Sequence, residues 1–276
     1  MTAGKIALLL VLGWISAATA ATTTCPRPGT LGTSRILEVD AAHYPRVGLK
    51  SFPQTLPLAD KEIVLTFDDG PAATTPRILA ALAHECVLAT FFQVGKGSQA
   101  LPGIVRQVAA AGHTLAHHTW SHQHLNQLSF ADAKEEIDRG IAADEAALGS
   151  RKPPKTATKF FRFPYFESTP QLLDMLQARG IVVFGADLWA SDWNPMTPSE
   201  EYNLITKRLT EARKGIILFH DPRQRTAAMM PAFLKFLREN GYHVVHVVPA
   251  GLGGPKPENA TSHAPSASPK TSRTSG

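Results

Sequence analysis

Ile63-Val64-Leu65-Thr66-Phe67-Asp68-Asp69-Gly70-Pro71 is the stretch on which the reading of this chain turns. An apolar, β-favouring run meets two adjacent carboxylates, and Gly70-Pro71 turns the chain at once. In sheets built from alternating strands and helices, such strand tips are where ligands and chemistry collect. A lone Asp-Asp pair is more often a helix cap or turn device than a site. A second segment shifts that balance, His118-Thr119-Trp120-Ser121-His122, with two imidazoles at i and i+4. On one helical turn they would face the same way, as a divalent cation requires. Two imidazoles and one carboxylate leave coordination positions open, the arrangement of a catalytic metal site. Side chains alternate along an extended strand, so Asp68 and Asp69 cannot share a role. One is expected on the ion and the other beside it as a base.

Outward from this pair the pattern alternates. Strand-like runs recur at 63–67, 88–94, 113–116, 160–164, 181–186, 215–220 and 242–248. Helical spacing lies between them. Thr75-Pro76 opens one helix, 102–111 forms another, and Ser129 is placed to cap 130–148. Thr169-Pro170 starts a fourth, Thr197-Pro198-Ser199-Glu200 reads as a capping box, and 227–240 closes the series. About seven strands alternating with about six helices predict parallel βαβ units, closed as a barrel or doubly wound.

The ends read differently. In residues 1–20, Lys5, the apolar run Ile6–Ile15 and Ala18-Thr19-Ala20 make an export signal too short to span a bilayer. The expectation is an exported chain, periplasmic or secreted, with no membrane span once the signal is removed. Residues 21–60 read as an N-terminal extension, 61–250 as the catalytic body and 251–276 as a flexible low-complexity tail. The two cysteines, Cys25 and Cys86, suit a disulfide pinning the N-terminal arm in an oxidising compartment. Part of the formal charge of +5 sits on Lys5 and on Lys256, Lys270 and Arg273 of the tail. No dense basic patch with interleaved aromatics exists, which argues against nucleic acid. Nothing demands more than a monomer.

Three further strand ends carry candidate chemistry. Arg162-Phe163-Pro164-Tyr165 offers a guanidinium to pair with the base carboxylate, and Pro164 fixes a turn that presents a backbone N–H to an oxyanion. In Asp187-Leu188-Trp189-Ala190-Ser191-Asp192-Trp193, the Trp193 indole suits one wall of a sugar groove. In Gly215-Ile216-Ile217-Leu218-Phe219-His220-Asp221, His220 is a candidate general acid, with Leu218 on the same face lining an apolar pocket.

Taken together, Thr66-Phe67-Asp68-Asp69-Gly70, His118–His122, Arg162–Tyr165, Asp192-Trp193 and Leu218–Asp221 resemble, in order, the motifs of NodB-homology polysaccharide deacetylases, carbohydrate esterase family 4. The resemblance implies a distorted (β/α) barrel of about seven parallel strands. It implies a metal-dependent hydrolase that removes N-acetyl groups from N-acetylhexosamine units of a glycan. Asp68 then matches the base, Asp69, His118 and His122 the metal ligands, and Arg162 the residue that orients the base. The Tyr165 N–H matches the oxyanion donor, His220 the acid and Asp192 its tuning partner. The ion implied is Zn2+, with Co2+, Ni2+ and Mn2+ also suited to such ligands. The fourth motif is longer than usual, which leaves Asp187 unassigned. Two alternatives stand beside this reading: an O-acetyl esterase using the same site, and a catalytically silent carbohydrate-binding protein.

Overall fold

The computed structural model describes residues 27–149 and 159–251. The expected export signal, Cys25 with its pairing to Cys86, and the tail from 252 onward lie outside the described residues.

Strands β1 (Thr33–Val39) and β2 (Arg46–Val47) precede the motif strand β3 (Glu62–Gly70). Then follow α1 (Thr75–His84), β4 (Thr90–Gln93), α2 (Gly95–Ala100), α3 (Pro102–Ala110), β5 (Thr114–His117) and α4 (Phe130–Leu148). The second half holds β6 (Phe160–Phe161), α5 (Pro170–Ala178), β7 (Val182–Phe184), β8 (Leu188–Trp189) and α6 (Pro198–Ala212). It ends with β9 (Gly215–His220), α7 (Gln224–Glu239) and β10 (His243–Pro249). Helix starts follow the capping chemistry of the sequence. Ser129 Oγ accepts from the Asp132 N–H, and Thr197 with Glu200 closes a capping box.

All pairings are parallel, in the order β1-β10-β3-β4-β5-β6-β7-β2. β9 lies on β3 from Ile63 to Asp68, and β8 lies on β9. Because β8 follows β7 within a few residues, its return to β9 curls the sheet into a distorted α/β barrel. The alternation of β3 divides its residues between two layers. Ile63, Leu65 and Phe67 pack outward with Phe91, Phe219, Leu82 and Phe233 under the helices. Val64 faces a second cluster with Phe92, Phe160, Phe184 and Val247. Phe67 stacks between Phe91 at 5.0 Å and Phe219 at 5.6 Å. Truncating a fully buried Phe of this kind costs about 3–5 kcal/mol.

Every strand run expected from the sequence is present. β1, β2 and β8 add to the expectation, as does α2. β2 and β8 are two residues long, too short to show any periodicity. β1 and β2 carry residues of the 21–60 segment into the sheet, beside β10 and β7.

Candidate active site

The tips of β3, β5, β6 and β9, with the loop after β8, converge on a cleft of about 520 Å³. Asp68 stands at the end of β3, paired in register with His220 of β9. It is 2% exposed. A charge so buried needs a partner, and Arg162, fully buried just after β6, supplies it. The Arg162 Nη1 donates to Asp68 Oδ1 at 2.6 Å and to Thr66 Oγ1 at 2.9 Å. Nη2 donates to the Gly185 carbonyl at 2.8 Å and Nε to that of Phe184 at 3.3 Å. The guanidinium also lies 4.2 Å from the Phe92 ring. Burial lowers its proton affinity, and the charge and hydrogen bond of Asp68 oppose that. Asp68 is thus anchored through Oδ1, while Oδ2 faces His118 Nε2 at 3.8 Å.

Asp69 breaks from the strand at φ 66°, which sends its carboxylate away from that of Asp68. Its Oδ1 meets His122 Nε2 at 3.1 Å and His118 Nε2 at 3.4 Å. One donor atom from each of the three residues falls within a 4.8 Å set. The two imidazoles do not share a helical turn, contrary to the sequence expectation. His118 leaves the tip of β5, and the chain loops through Thr119 at φ 66° to His122 at φ 60°. The i, i+4 spacing brings the rings together, their centroids 4.9 Å apart, by a left-handed loop instead. The His118 ring is oriented from behind. Its Nδ1 lies 2.8 Å from the Arg162 carbonyl, which can only accept, so Nδ1 carries the proton and Nε2 presents a lone pair.

Those atoms fit a cation. Asp69 Oδ1 is buried without a hydrogen-bond partner, facing the Nε2 lone pair of His118. Acceptors turned toward one another repel unless a positive charge lies between them.

Across the cleft, His220 Nδ1 donates to Asp192 Oδ1 at 2.6 Å, and the His220 backbone N–H donates to Oδ2 at 2.7 Å. Burial disfavours the imidazolium, yet the Asp192 contact reverses that and raises the His220 pKa. Trp193, 43% exposed, stands edge-on to His220 at 5.7 Å. Leu218 lines the floor beside them. On the opposite rim Tyr165 sits at φ 56° in a tight turn. Phe166 and Glu167 use their N–H groups to close that turn, on Phe163 and Pro164. The Tyr165 ring stacks on His124 at 3.8 Å and meets His122 edge-on at 4.7 Å.

The sequence-derived catalytic, substrate-binding and metal-ligand residues all stand in this cleft or bonded directly behind it. Phe163, Phe166, Trp189 and Arg223 line the cleft as well. Phe166 and Arg223 carry no signal in the sequence beyond standing next to a motif, and Trp189 stands inside one. Asp187 lies elsewhere. Its carboxylate accepts from the Leu49 N–H, the Thr55 hydroxyl and the Ile216 N–H, tying the loop after β2 to the start of β9.

Comparison with known proteins agrees with the motifs. A family model described as polysaccharide deacetylase matches residues 56–184, which include Asp68, Asp69, His118, His122 and Arg162. The chitooligosaccharide deacetylase of Azorhizobium caulinodans is 34% identical over 161 residues, 58% of this chain and 73% of that protein. The peptidoglycan-N-acetylglucosamine deacetylase PgdA of Listeria monocytogenes is 30% identical, over 68% of this chain but 38% of its own length. A solved peptidoglycan deacetylase of Bdellovibrio bacteriovorus superposes with a TM-score of 0.71 at 30% identity, covering 81% of this chain and 61% of that one. With this fold, these motifs and these relatives, the chain belongs to the polysaccharide deacetylase family.

Proposed function

We propose that this chain is an exported hydrolase that removes N-acetyl groups from N-acetylhexosamine units of a polysaccharide or oligosaccharide, with a divalent cation held by Asp69, His118 and His122. One observation carries the reading. Three mutually facing ligand atoms lie in the same cleft as a carboxylate braced by Arg162 and an imidazole braced by Asp192. The relatives named above act, by their names, on chitooligosaccharide and peptidoglycan, which share the acetamide group. An ion such as Zn2+ at these ligands supplies Lewis-acid polarisation of the acetyl carbonyl.

The chain's own residues do the rest. Asp68 has one oxygen committed to Arg162, so the other is available to take a proton from the attacking water. As the carbonyl becomes tetrahedral, the Tyr165 N–H donates to the developing oxyanion, an interaction stronger in the transition state than before it. His220 acts as the imidazolium: its Nδ1–H stays on Asp192, and its Nε2–H gives a proton to the departing amine. The Trp193 indole backs one sugar face, and Leu218 takes the acetyl methyl. Export by the N-terminal signal, a Cys25–Cys86 link and a monomeric state complete the proposal.

The test is acetate release across N-acetylated and O-acetylated glycans, with chelator and metal-restored controls. Release from N-acetyl substrates that stops with chelator and returns with Zn2+ is the expected result. Release from O-acetyl substrates alone would replace the amidase reading with an esterase. Sugar binding without acetate release would leave only a binding protein.

A further inference from the structure

Behind His220 runs a chain of buried polar groups that the mechanism above does not use. Thr226, in the first turn of α7, has its Oγ1 2.8 Å from Asp192 Oδ2 and 2.9 Å from Glu201 Oε1. Glu201 comes from the first turn of α6. Asp192, Glu201 and Thr226 are all 0% exposed.

A hydroxyl owns one proton, yet two carboxyl oxygens flank this one. One of the two contacts therefore needs its proton on the carboxyl group. Asp192 already accepts two N–H bonds from His220, which suits it as the anion. Glu201 Oε2, in contrast, is buried with no partner, an expensive place for a carboxylate. The proton belongs on Glu201. Burial, followed by the nearby Asp192 charge, pushes this carboxyl up to about 7, with Thr226, Arg225 and His220 opposing. Those four side chains come from the β8–α6 loop, α7 and the tip of β9.

We propose that Glu201 is a positioning residue for His220: as a neutral acid it donates to Thr226, which turns the Thr226 proton onto Asp192 and fixes the His220 ring. The order is Glu201 O–H to Thr226 Oγ1, Thr226 O–H to Asp192 Oδ2, and His220 Nδ1–H to Asp192 Oδ1. Every bond runs toward Asp192. When Glu201 ionises, it becomes the better acceptor, the Thr226 proton turns to it, and Asp192 loses a donor. This inference rests on the proposed role of His220.

Two measurements test it on the full-length protein with its metal restored. The first is the pH dependence of kcat and KM for acetate release. Glu201→Ala should lower kcat about tenfold, the scale of one hydrogen bond to a charged group, with KM little changed. Glu201→Gln keeps a donor toward Thr226, so it should recover most of that loss and lack the wild-type inflection near Glu201 ionisation. Thr226→Val should behave as Glu201→Ala, and Thr226→Ser should recover. The second is 15N NMR of the His220 ring, which reads the Nδ1–H hydrogen bond to Asp192 without any substrate. The wild type and Glu201→Gln should share one Nδ1 shift, and Glu201→Ala should move away from it. Equal losses in Glu201→Ala and Glu201→Gln, or an unmoved Nδ1 shift in Glu201→Ala, would overturn the proposal. If the wild type releases no acetate from any glycan, the hydrolase reading fails, and the NMR result alone then decides whether Glu201 positions the ring.

Discussion

Replacing Arg162 with Met strands Asp68, and the cost can be worked from the geometry. Asp68 is 2% exposed and, among the described residues, receives its charged hydrogen bond from Arg162, at 2.6 Å. Removing one member of a buried ion pair costs about 3–5 kcal/mol, because the other charge stays buried without compensation. The Thr66 hydroxyl and the Gly185 carbonyl lose a partner too. Against a total stability of about 5–15 kcal/mol, such a variant sits near the edge of folding at neutral pH. The pH dependence carries the sharper test. Without Arg162, burial pushes the Asp68 carboxyl above its unfolded value. A carboxyl raised in the folded state contributes most in acid, and that contribution is lost as pH rises through its folded pKa. The gap between wild type and Arg162→Met should therefore be small at about pH 5 and widen toward about pH 8. Urea unfolding of chelated protein at both pH values measures it, since chelation removes stabilisation by ligand binding. Adding Asp68→Asn to Arg162→Met should recover part of the loss. A gap below about 1 kcal/mol, or one that does not change with pH, would refute the claim that Arg162 compensates a buried Asp68 charge.

The other expectations are shorter. Asp69→Asn and His122→Ala should each weaken Zn2+ binding at least tenfold by calorimetric titration, while Trp193→Ala leaves it intact; full affinity in either ligand variant would break the assigned set. Trp193→Ala should instead raise KM on oligosaccharides about tenfold with little change in kcat, and a pure kcat effect would count against a sugar wall. Asp221 is buried, with Oδ2 on the Thr75 hydroxyl and Oδ1 unpartnered, and burial pushes it up to about 7. Its folded pKa is raised, so the protein should lose stability as pH climbs from the ordinary carboxylate range through about 7; Asp221→Asn should flatten that slope in chelated protein. Gly140 of α4 leaves no room for a side chain, because a Cβ there would meet the Thr119 carbonyl carbon at 2.4 Å and the Trp120 nitrogen at 2.9 Å. Gly140→Ala should push the loop that carries His118 and His122 and weaken Zn2+ binding without touching the ion, as titration beside an unfolding curve would show.

What the chain discloses before folding depends on whether a feature is local. The apolar run into Asp68 is local, and β3 forms there with its alternate residues in two layers. The Thr197 capping box and the Ser129 cap are local too, and both form. The partner of Asp68 is not local, since Arg162 lies 94 residues away and reaches it only because β6 joins the same sheet. Its pairing with a base carboxylate is expected from the motif, but its bonds to Thr66 and to two carbonyls at the end of β7 have no trace in the Arg162-Phe163-Pro164 run itself. Asp187 shows the converse. It sits inside a motif segment, where the sequence assigns it no role, and the groups it satisfies include backbone N–H donors on the loop after β2 and at β9.

The left-handed turns explain why the histidine spacing misled. Asp69, Thr119, His122, Tyr165, Phe166 and Ser191 all have positive φ, and all lie at the strand tips around the cleft. Each non-glycine residue in that conformation costs about 1–2 kcal/mol. Glycine would remove the cost, and its absence is what hid the turns from a pattern reading that looks for glycine there. Glycine has no imidazole or carboxylate to offer, however, so at Asp69 and His122 the chemistry and the relaxed backbone exclude each other. The surrounding bonds hold the unfavourable state: the Thr119 hydroxyl accepts from the His122 N–H at 3.0 Å, and the Thr119 carbonyl accepts from the Gly95 N–H at 2.9 Å. A helical turn would have aligned His118 and His122 along one face. The strained loop instead folds His122 back over the strand tip, so that three residues from two strand ends meet at one point.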